Sequence, residues 1–276
     1  MLCFIIALMN KSVASDWDIV ERNFNNTLRS IFNQTDANFR VYVGYTDMPR
    51  LYDEYDNRLN MIQCNTHTPI ERVEKTRDRA WKLSVCSNAI YQNIDNLAFE
   101  DGGVFVFPVD ADDLVNRNIA KYVNTHSTAN GFKSKKSYMH KKGRHYLEIT
   151  PWFGGTMNIM KLYKTDIVPE IPDVSKCFDL DVSIELRKYP VTWDDFAVEQ
   201  KFAEMGRAFS RLPFKSTIYN LGTGDNLSDS DPQNQKIDGD RFHPIAFLRK
   251  ISLFNKSLIT KNIKIDFGIG KEGFNF

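Results

Sequence analysis

The stretch that most constrains this chain is Val104–Asp113, VFVFPVDADD, which is apolar from Val104 to Val109 and then runs directly into three carboxylates. A strand without a polar face has to be covered on both sides, which is the situation of a central parallel strand flanked by helices. In open sheets of that kind ligands bind beyond the carboxyl ends of the strands, and Asp110, Asp112 and Asp113 fall at such an end. Carboxylates crowded together repel one another unless a cation or hydrogen-bond donors offset their charge. Hard oxygen ligands in small number suit Mg²⁺ or Mn²⁺, which keep positions open for phosphate oxygens. A second reading also fits: with a helix expected near Asn116, Asp112 or Asp113 can serve as its N-terminal cap. An EF-hand does not fit, because the loop lacks the required glycine and terminal glutamate.

The segments before this element alternate in type. MLCFIIALMN has no basic residue ahead of its apolar run and is interrupted by Lys11, so it reads as a buried first strand rather than a signal peptide. Ser15 and Asp18 have capping-box spacing, and Trp17, Val20, Phe24, Leu28, Ile31 and Phe32 follow at helical intervals. Strands are expected at Phe39–Tyr45 and Leu59–Cys64. From Pro69 a second helix is expected, with Val73, Ala80, Trp81, Val85 and Ala89 as its apolar stripe, and Asp101-Gly102-Gly103 punctuates before Val104. Strand and helix in alternation predict an α/β domain with a mainly parallel central sheet flanked by helices.

The second half is less regular. It holds a basic turn from Lys133 to Arg144, an apolar stretch from Tyr146 to Tyr163 broken at Gly154-Gly155, a helix from about Trp193 to Arg207, and a polar loop from Gly222 to Asp240. Neither an internal repeat nor an interdomain linker is visible. With 36 basic and 35 acidic residues, no global field points to nucleic acid as a partner. Cys3, Cys64, Cys86 and Cys177 lack zinc-ligand spacing and read as buried thiols of a reducing compartment.

In these elements the chain resembles the GT-A fold glycosyltransferases, particularly family-2-like bacterial enzymes such as rhamnosyl and galactosyl transferases. The matching segments, in order, are CFIIALMN, NNTLRSIFNQTDANFRVYVGYTDMP, the DxD-type element VDADDLVNRNIAKYV, PWFGGTMNIMK and LPFKSTIYNLGTGDNLS. They cover most of the chain to about Ser228, and the acidic element is the specific one among them. The resemblance implies a nucleotide-diphospho-sugar transferase fold, with residues 1–240 as the catalytic domain. Residues 241–276 would form a basic amphipathic extension packed on the domain or on a membrane surface. It further implies an inverting, metal-dependent hexosyltransferase of polysaccharide biosynthesis. Such an enzyme carries a sugar from a UDP, dTDP or GDP donor to a glycan or lipid-linked acceptor, in the cytoplasm or at the inner face of the membrane.

Carried onto this sequence, the resemblance places Asp110 toward the nucleotide, Asp112 at a Mn²⁺ or Mg²⁺ ion and Asp113 in support of that site. Ala7, Asn10 and Asp47, at the ends of the first two strands, would hold the nucleobase, although Asn10 and Asp47 equally suit ordinary turns. Of the basic residues on the second helix, Arg72, Lys75, Arg77, Arg79 and Lys82, one or two would face the diphosphate, Arg79 foremost; the others form a solvated face. Asp195, with Asp194 second, would be the general base on the acceptor hydroxyl. The spacing of Thr192 and Asp195 also fits a capping box, which gives Asp195 a purely structural alternative. His243 would add a metal ligand from the C-terminal segment. Trp152, Gly154 and Gly155 would meet a sugar, while a tight bend accounts for the two glycines equally well.

Between Arg241 and Lys264 there is no acidic residue, and Arg249, Lys250, Lys256, Lys261 and Lys264 alternate with apolar ones. That pattern suits either attachment to an anionic membrane surface or an ordinary amphipathic element. Two other functions use comparable elements. A sugar nucleotidyltransferase needs a glycine-rich basic loop after the first strand, where Met9-Asn10-Lys11-Ser12 offers one lysine and no glycine. A non-catalytic glycan-binding module would keep the fold with Asp195 as a cap and no metal.

Overall fold

The computed structural model describes residues 1–69, 71–134, 136–141, 146–150, 158–193, 195–221 and 256–269. In chain order the first half contains β1 (Leu2–Ala7), α1 (Trp17–Phe32), β2 (Phe39–Tyr45), β3 (Leu59–Gln63), α2 (Arg72–Gln92), α3 (Ile94–Leu97), β4 (Val104–Pro108), β5 (Leu114–Val115) and α4 (Ile119–Thr125). The second half adds β6 (Gly131–Ser134), β7 (Ser137–Lys141), β8 (Tyr146–Thr150), β9 (Asn158–Leu162), α5 (Leu180–Leu186), α6 (Asp195–Glu204), β10 (Ser210–Leu212), β11 (Thr217–Leu221), β12 (Lys256–Leu258) and α7 (Lys261–Asp266).

Among the described residues, seven strands form the central sheet in the order β10-β6-β9-β4-β1-β2-β3. β1 pairs in parallel with both β2 and β4, β2 with β3, and β10 with β6. β9 is antiparallel to both of its neighbours, β4 and β6. The mainly parallel sheet expected from the alternation is therefore present, with β9 reversed among the described strands. From β1 the chain steps outward to β2 and β3, then returns to lay β4 on the other side of β1. That reversal, between the carboxyl ends of β1 and β4, is the switch point at which open α/β sheets of this kind form a crevice.

Strand residues divide by parity between two cores. Cys3, Ile5, Tyr42, Val104 and Val106 pack with Trp81, Leu83, Cys86 and Ile90 of α2. Leu2, Phe4, Ile6, Val41, Val43, Phe105 and Phe107 pack with Phe24, Leu28 and Ile31 of α1 and with Ile119 and Val123 of α4. Burying one such large apolar side chain stabilises the fold by about 1.5–3 kcal/mol, so the two layers supply most of the driving force.

Several local expectations need correction. The cap of α1 is Asp16 rather than Ser15: its carboxylate accepts from Asp18 N (3.0 Å) and Ile19 N (3.2 Å). α1 buries more than its apolar stripe, since Glu21, Asn23, Asn25, Thr27 and Ser30 are also enclosed. On α2 the stripe is rotated from the expected one: Val73 is exposed, whereas Lys82 is fully buried.

The irregular second half contributes a second sheet, β12-β8-β7-β11-β5, which periodicity did not reveal. Beneath it Leu114, Tyr138, Leu147 and Ile218 pack with Ile263 and Phe267. α7 is capped by Thr260, whose hydroxyl accepts from Ile263 N (3.3 Å), and it is joined to the domain through Arg117 N to Asp266 O (2.7 Å) and Asn33 Nδ2 to Ile265 O (2.8 Å). Among the described residues no helix is long and apolar enough to cross a membrane.

Gly44 of β2 lets α2 approach the sheet closely. A Cβ there would lie 2.9 Å from both Lys82 Cβ and the Lys82 carbonyl oxygen. Gly44→Ala should therefore cost about 1–3 kcal/mol in denaturant unfolding, the usual penalty for overpacking. An unchanged unfolding midpoint would contradict this packing.

Candidate functional site

The acidic turn continues directly from the β1–β4 pairing, because Val109 N donates to Ile5 O (2.9 Å) and Asp113 N then closes back onto Asp110 O (3.1 Å). α1 and the turn that follows it hold the acidic turn and the segment after it from below: Thr27 Oγ1 donates to Ala111 O (2.9 Å), Ser30 Oγ accepts from Val115 N (3.0 Å), and Gln34 Nε2, just past the helix, donates to Asn116 O (2.9 Å). The buried polar residues of α1 thus shape the loop at the crevice.

The three carboxylates have different surroundings. Asp110 is partly exposed and pairs with Arg79 Nη2 of α2 at 3.0 Å. This is the basic residue the sequence put foremost. Asp112 is also partly exposed, and its backbone carbonyl accepts from the Asn220 side chain. Asp113 is fully buried, with Oδ1 accepting from Asn220 N (3.2 Å) of β11. Its carboxylate is turned inward, where it ties the acidic turn to the second sheet.

Neither Asp112 nor Asp113 caps a helix. α4 begins at Ile119, has Asn118 in the cap position and has no acidic residue in its first turn. The two-residue strand β5 lies between. The capping alternative for the acidic cluster is therefore overturned.

At the end of β1, Ala7 is partly buried and lies opposite Gly44. Asn10 is 1% exposed, and its amide is engaged at both ends inside the protein: Oδ1 accepts from Lys82 and Nδ2 donates to His67 O (3.3 Å). Asp47, beyond β2, accepts from Lys11 N (2.7 Å) and so bridges the loops that follow β1 and β2. Lys82, expected either to face the diphosphate or to lie on a solvated face, is instead enclosed, and with Asp78 and Thr66, which sequence reasoning missed, it forms a buried polar cluster behind these loops. The one available signal was a lysine beside Trp81, and it was obscured by four other basic residues on the same helix.

Asp195 is the first residue of α6. Just beyond the opposite end of this helix, Arg207 donates to the Lys161 carbonyl, and Lys161 pairs with Asp101, ahead of β4. The C-terminus of α6 thus lies at the amino edge of β4, while Glu199, in the first half of the helix, pairs with Lys133 toward the carboxyl end of β6, so the helix runs back toward the carboxyl edge. Thr192 does not cap it, because its hydroxyl donates backward to Leu186 O (2.8 Å) and Tyr189 O (2.9 Å). Asp194, Trp152, Gly154, Gly155 and His243 lie outside the described residues.

Among the described residues no group of three or more His, Cys, Asp or Glu is placed to hold a metal. The carboxylates there are those of Asp110, which pairs with Arg79, and Asp112, both partly exposed. This composition fits Mg²⁺ or Mn²⁺, which commonly take one or two carboxylates and complete their shell with phosphate oxygens and water. The cysteines do not suit nucleophilic chemistry: burial raises the thiols of Cys3 and Cys64 to about 12.

No family model matches the chain, and no curated protein does. Among solved structures, the chain is similar to the apo form of mouse xyloside xylosyltransferase 1, at 11% identity over 77% of this chain and 85% of that one, with a TM-score of 0.36. So loose a superposition transfers no residue role.

Beside the crevice, a cleft of about 510 Å³ is lined by Lys11, Trp17, Asp18, Glu21, Asp47, Met48 and Arg50. Glu21 is 2% exposed and accepts from Arg50 Nε (2.6 Å), Arg50 N (2.9 Å) and Trp17 Nε1 (2.9 Å). Burial alone would raise its pKa, but the Arg50 hydrogen bonds together with Trp17 outweigh that and hold the carboxyl below its usual value. A depressed folded pKa gives stability that is present above the unfolded value of about 4.3 and is lost as pH falls through the folded one. The melting-temperature gap between wild type and Glu21→Gln should accordingly be widest near neutral pH and should narrow below about pH 4. A gap independent of pH would contradict this assignment.

Proposed function

We propose that this chain is a metal-dependent glycosyltransferase moving a sugar from a nucleotide-diphosphate donor, UDP, dTDP or GDP, to a glycan or lipid-linked acceptor. The observation that carries the proposal is the placement of Asp110 and Asp112, partly exposed, beyond β4 at the crevice where the strand order reverses. Such a crevice is where open α/β sheets bind nucleotides.

In this reading Arg79 has two tasks. It holds the Asp110 carboxylate at 3.0 Å and supplies a fixed positive charge beside the diphosphate. Asp110 orients the nucleoside, Asp112 provides the carboxylate for Mn²⁺ or Mg²⁺, and Asp113 keeps the turn in shape through Asn220. Asp47 and the backbone at Ala7 and Asn10 border the nucleobase. When bound, the ion would act as a Lewis acid on the leaving diphosphate. Asp195, at the end of α6 nearer the same edge, takes the proton from the acceptor hydroxyl, with Asp194 beside it in sequence, so transfer proceeds with inversion. His243 is assigned as a further metal ligand, and Trp152, Gly154 and Gly155 are assigned to the sugar.

Incubation with a panel of sugar nucleotides should show release of nucleoside diphosphate from at least one donor, dependent on Mn²⁺ or Mg²⁺. Asp112→Ala should lower kcat/KM by about 100-fold or more, the scale on which one removed electrostatic contact acts at a reacting centre. Turnover surviving both Asp112→Ala and a chelator would overturn the reading.

A further inference from the structure

Lys82 is fully enclosed on α2, and all three of its ammonium protons find acceptors inside the protein: Leu8 O (2.8 Å), Asp78 Oδ2 (2.7 Å) and the Asn10 side-chain oxygen. Asp78, itself 5% exposed, uses its other oxygen to accept from Thr66 Oγ1 (2.6 Å). Thr66 in turn shares a hydroxyl contact with Thr46 (2.8 Å). A continuous polar chain thus runs from the segment after β1, through α2, to the segments after β3 and β2. All of these segments lie on the carboxyl edge of the sheet, where the crevice opens.

A buried ion pair is a poor source of stability. Desolvating two charges is costly, and apolar replacements of similar volume are often neutral or stabilising. What the pair supplies here is geometry. It fixes the Leu8 carbonyl and the Asn10 amide, and Asn10 Nδ2 extends the hold to His67 O (3.3 Å). Three loops are tied together at a point where each alone would be free to move.

We infer that the Lys82–Asp78 pair is a positioning device for the donor site, holding the Leu8–Asn10 segment in the shape that receives the nucleoside diphosphate. This rests on the crevice being a nucleotide-sugar site, as proposed above. Lys82 has no exposed surface, so it acts through Asn10 and Leu8 rather than on the ligand. A loop already in its bound shape avoids the ordering cost that binding otherwise pays.

The test is calorimetric titration of UDP, dTDP and GDP, each with Mn²⁺, into the full chain, with melting temperatures recorded alongside. Lys82→Met/Asp78→Leu removes both charges at once and roughly preserves volume, so it should remain folded. Wild type should bind at least one of the three, and the double variant should bind it about 10-fold or more weakly, because small misplacements of a binding group are costly. Thr66→Val, which keeps its shape and releases only the far end of the chain, should weaken the same ligand by a smaller factor. A pair with a merely structural role would lower the melting temperature and leave the affinity of the folded protein unchanged. A folded double variant with wild-type affinity overturns the inference and leaves the donor reading standing. Wild type that binds none of the three overturns both. If the double variant does not fold, unchanged affinity in Thr66→Val overturns the inference.

Discussion

Lys82 and Asp78 sit one helical turn apart on α2, where the helix packs against β1 and β2, and much of the local architecture follows from enclosing them. A lysine without exposed surface needs an acceptor for each proton. Leu8, Asn10 and Asp78 provide those acceptors, and Asp78 in turn recruits Thr66. The same demand explains Gly44: only a residue without a side chain lets α2 come close enough for Lys82 to reach the end of β1. The polar cluster and the close helix–sheet contact are two sides of one constraint.

On the other face of the sheet α1 has a comparable task with neutral groups. Asn25 donates to Arg50 O (2.8 Å) and accepts from Tyr52 N (2.8 Å), while Thr27 and Ser30 take up backbone groups of the acidic loop. Loops at a sheet edge carry backbone groups that no strand pairs, and buried helix side chains satisfy them here. The acidic turn is thereby held from three directions: from β1 through Val109, from α1 through Thr27, and from β11 through Asn220.

The parts of the fold that were legible in the sequence are those set by local pattern. β1, α1, β2, β3, α2 and β4 carry apolar residues at strand or helix periods, and all of them are present. The cap of α1 shifted by one residue because serine and aspartate both suit that position and stand side by side. Lys82 was grouped with the other basic residues of its helix because its burial depends on Gly44, a residue of a distant strand. Asp113 was grouped with its neighbours because the amide that draws it inward belongs to Asn220, 107 residues away. The second sheet was hidden for the same reason: its strands are short, and β5 and β11 meet only across a long separation. Chemistry at strand ends can be read locally, whereas the direction each carboxylate faces is decided by distant chain.

If the crevice between β1 and β4 is the donor site, the metal and the nucleotide must meet at the turn that starts at Asp110. The most direct measurement is an anomalous difference map from crystals soaked with Mn²⁺ and the nucleoside diphosphate that binds. The account predicts a manganese peak within coordination distance of the Asp112 carboxylate, with nucleotide density lying in the crevice beside Asp110. Manganese and nucleotide bound at some other surface, with the Asp110–Asp112 turn vacant, would contradict it.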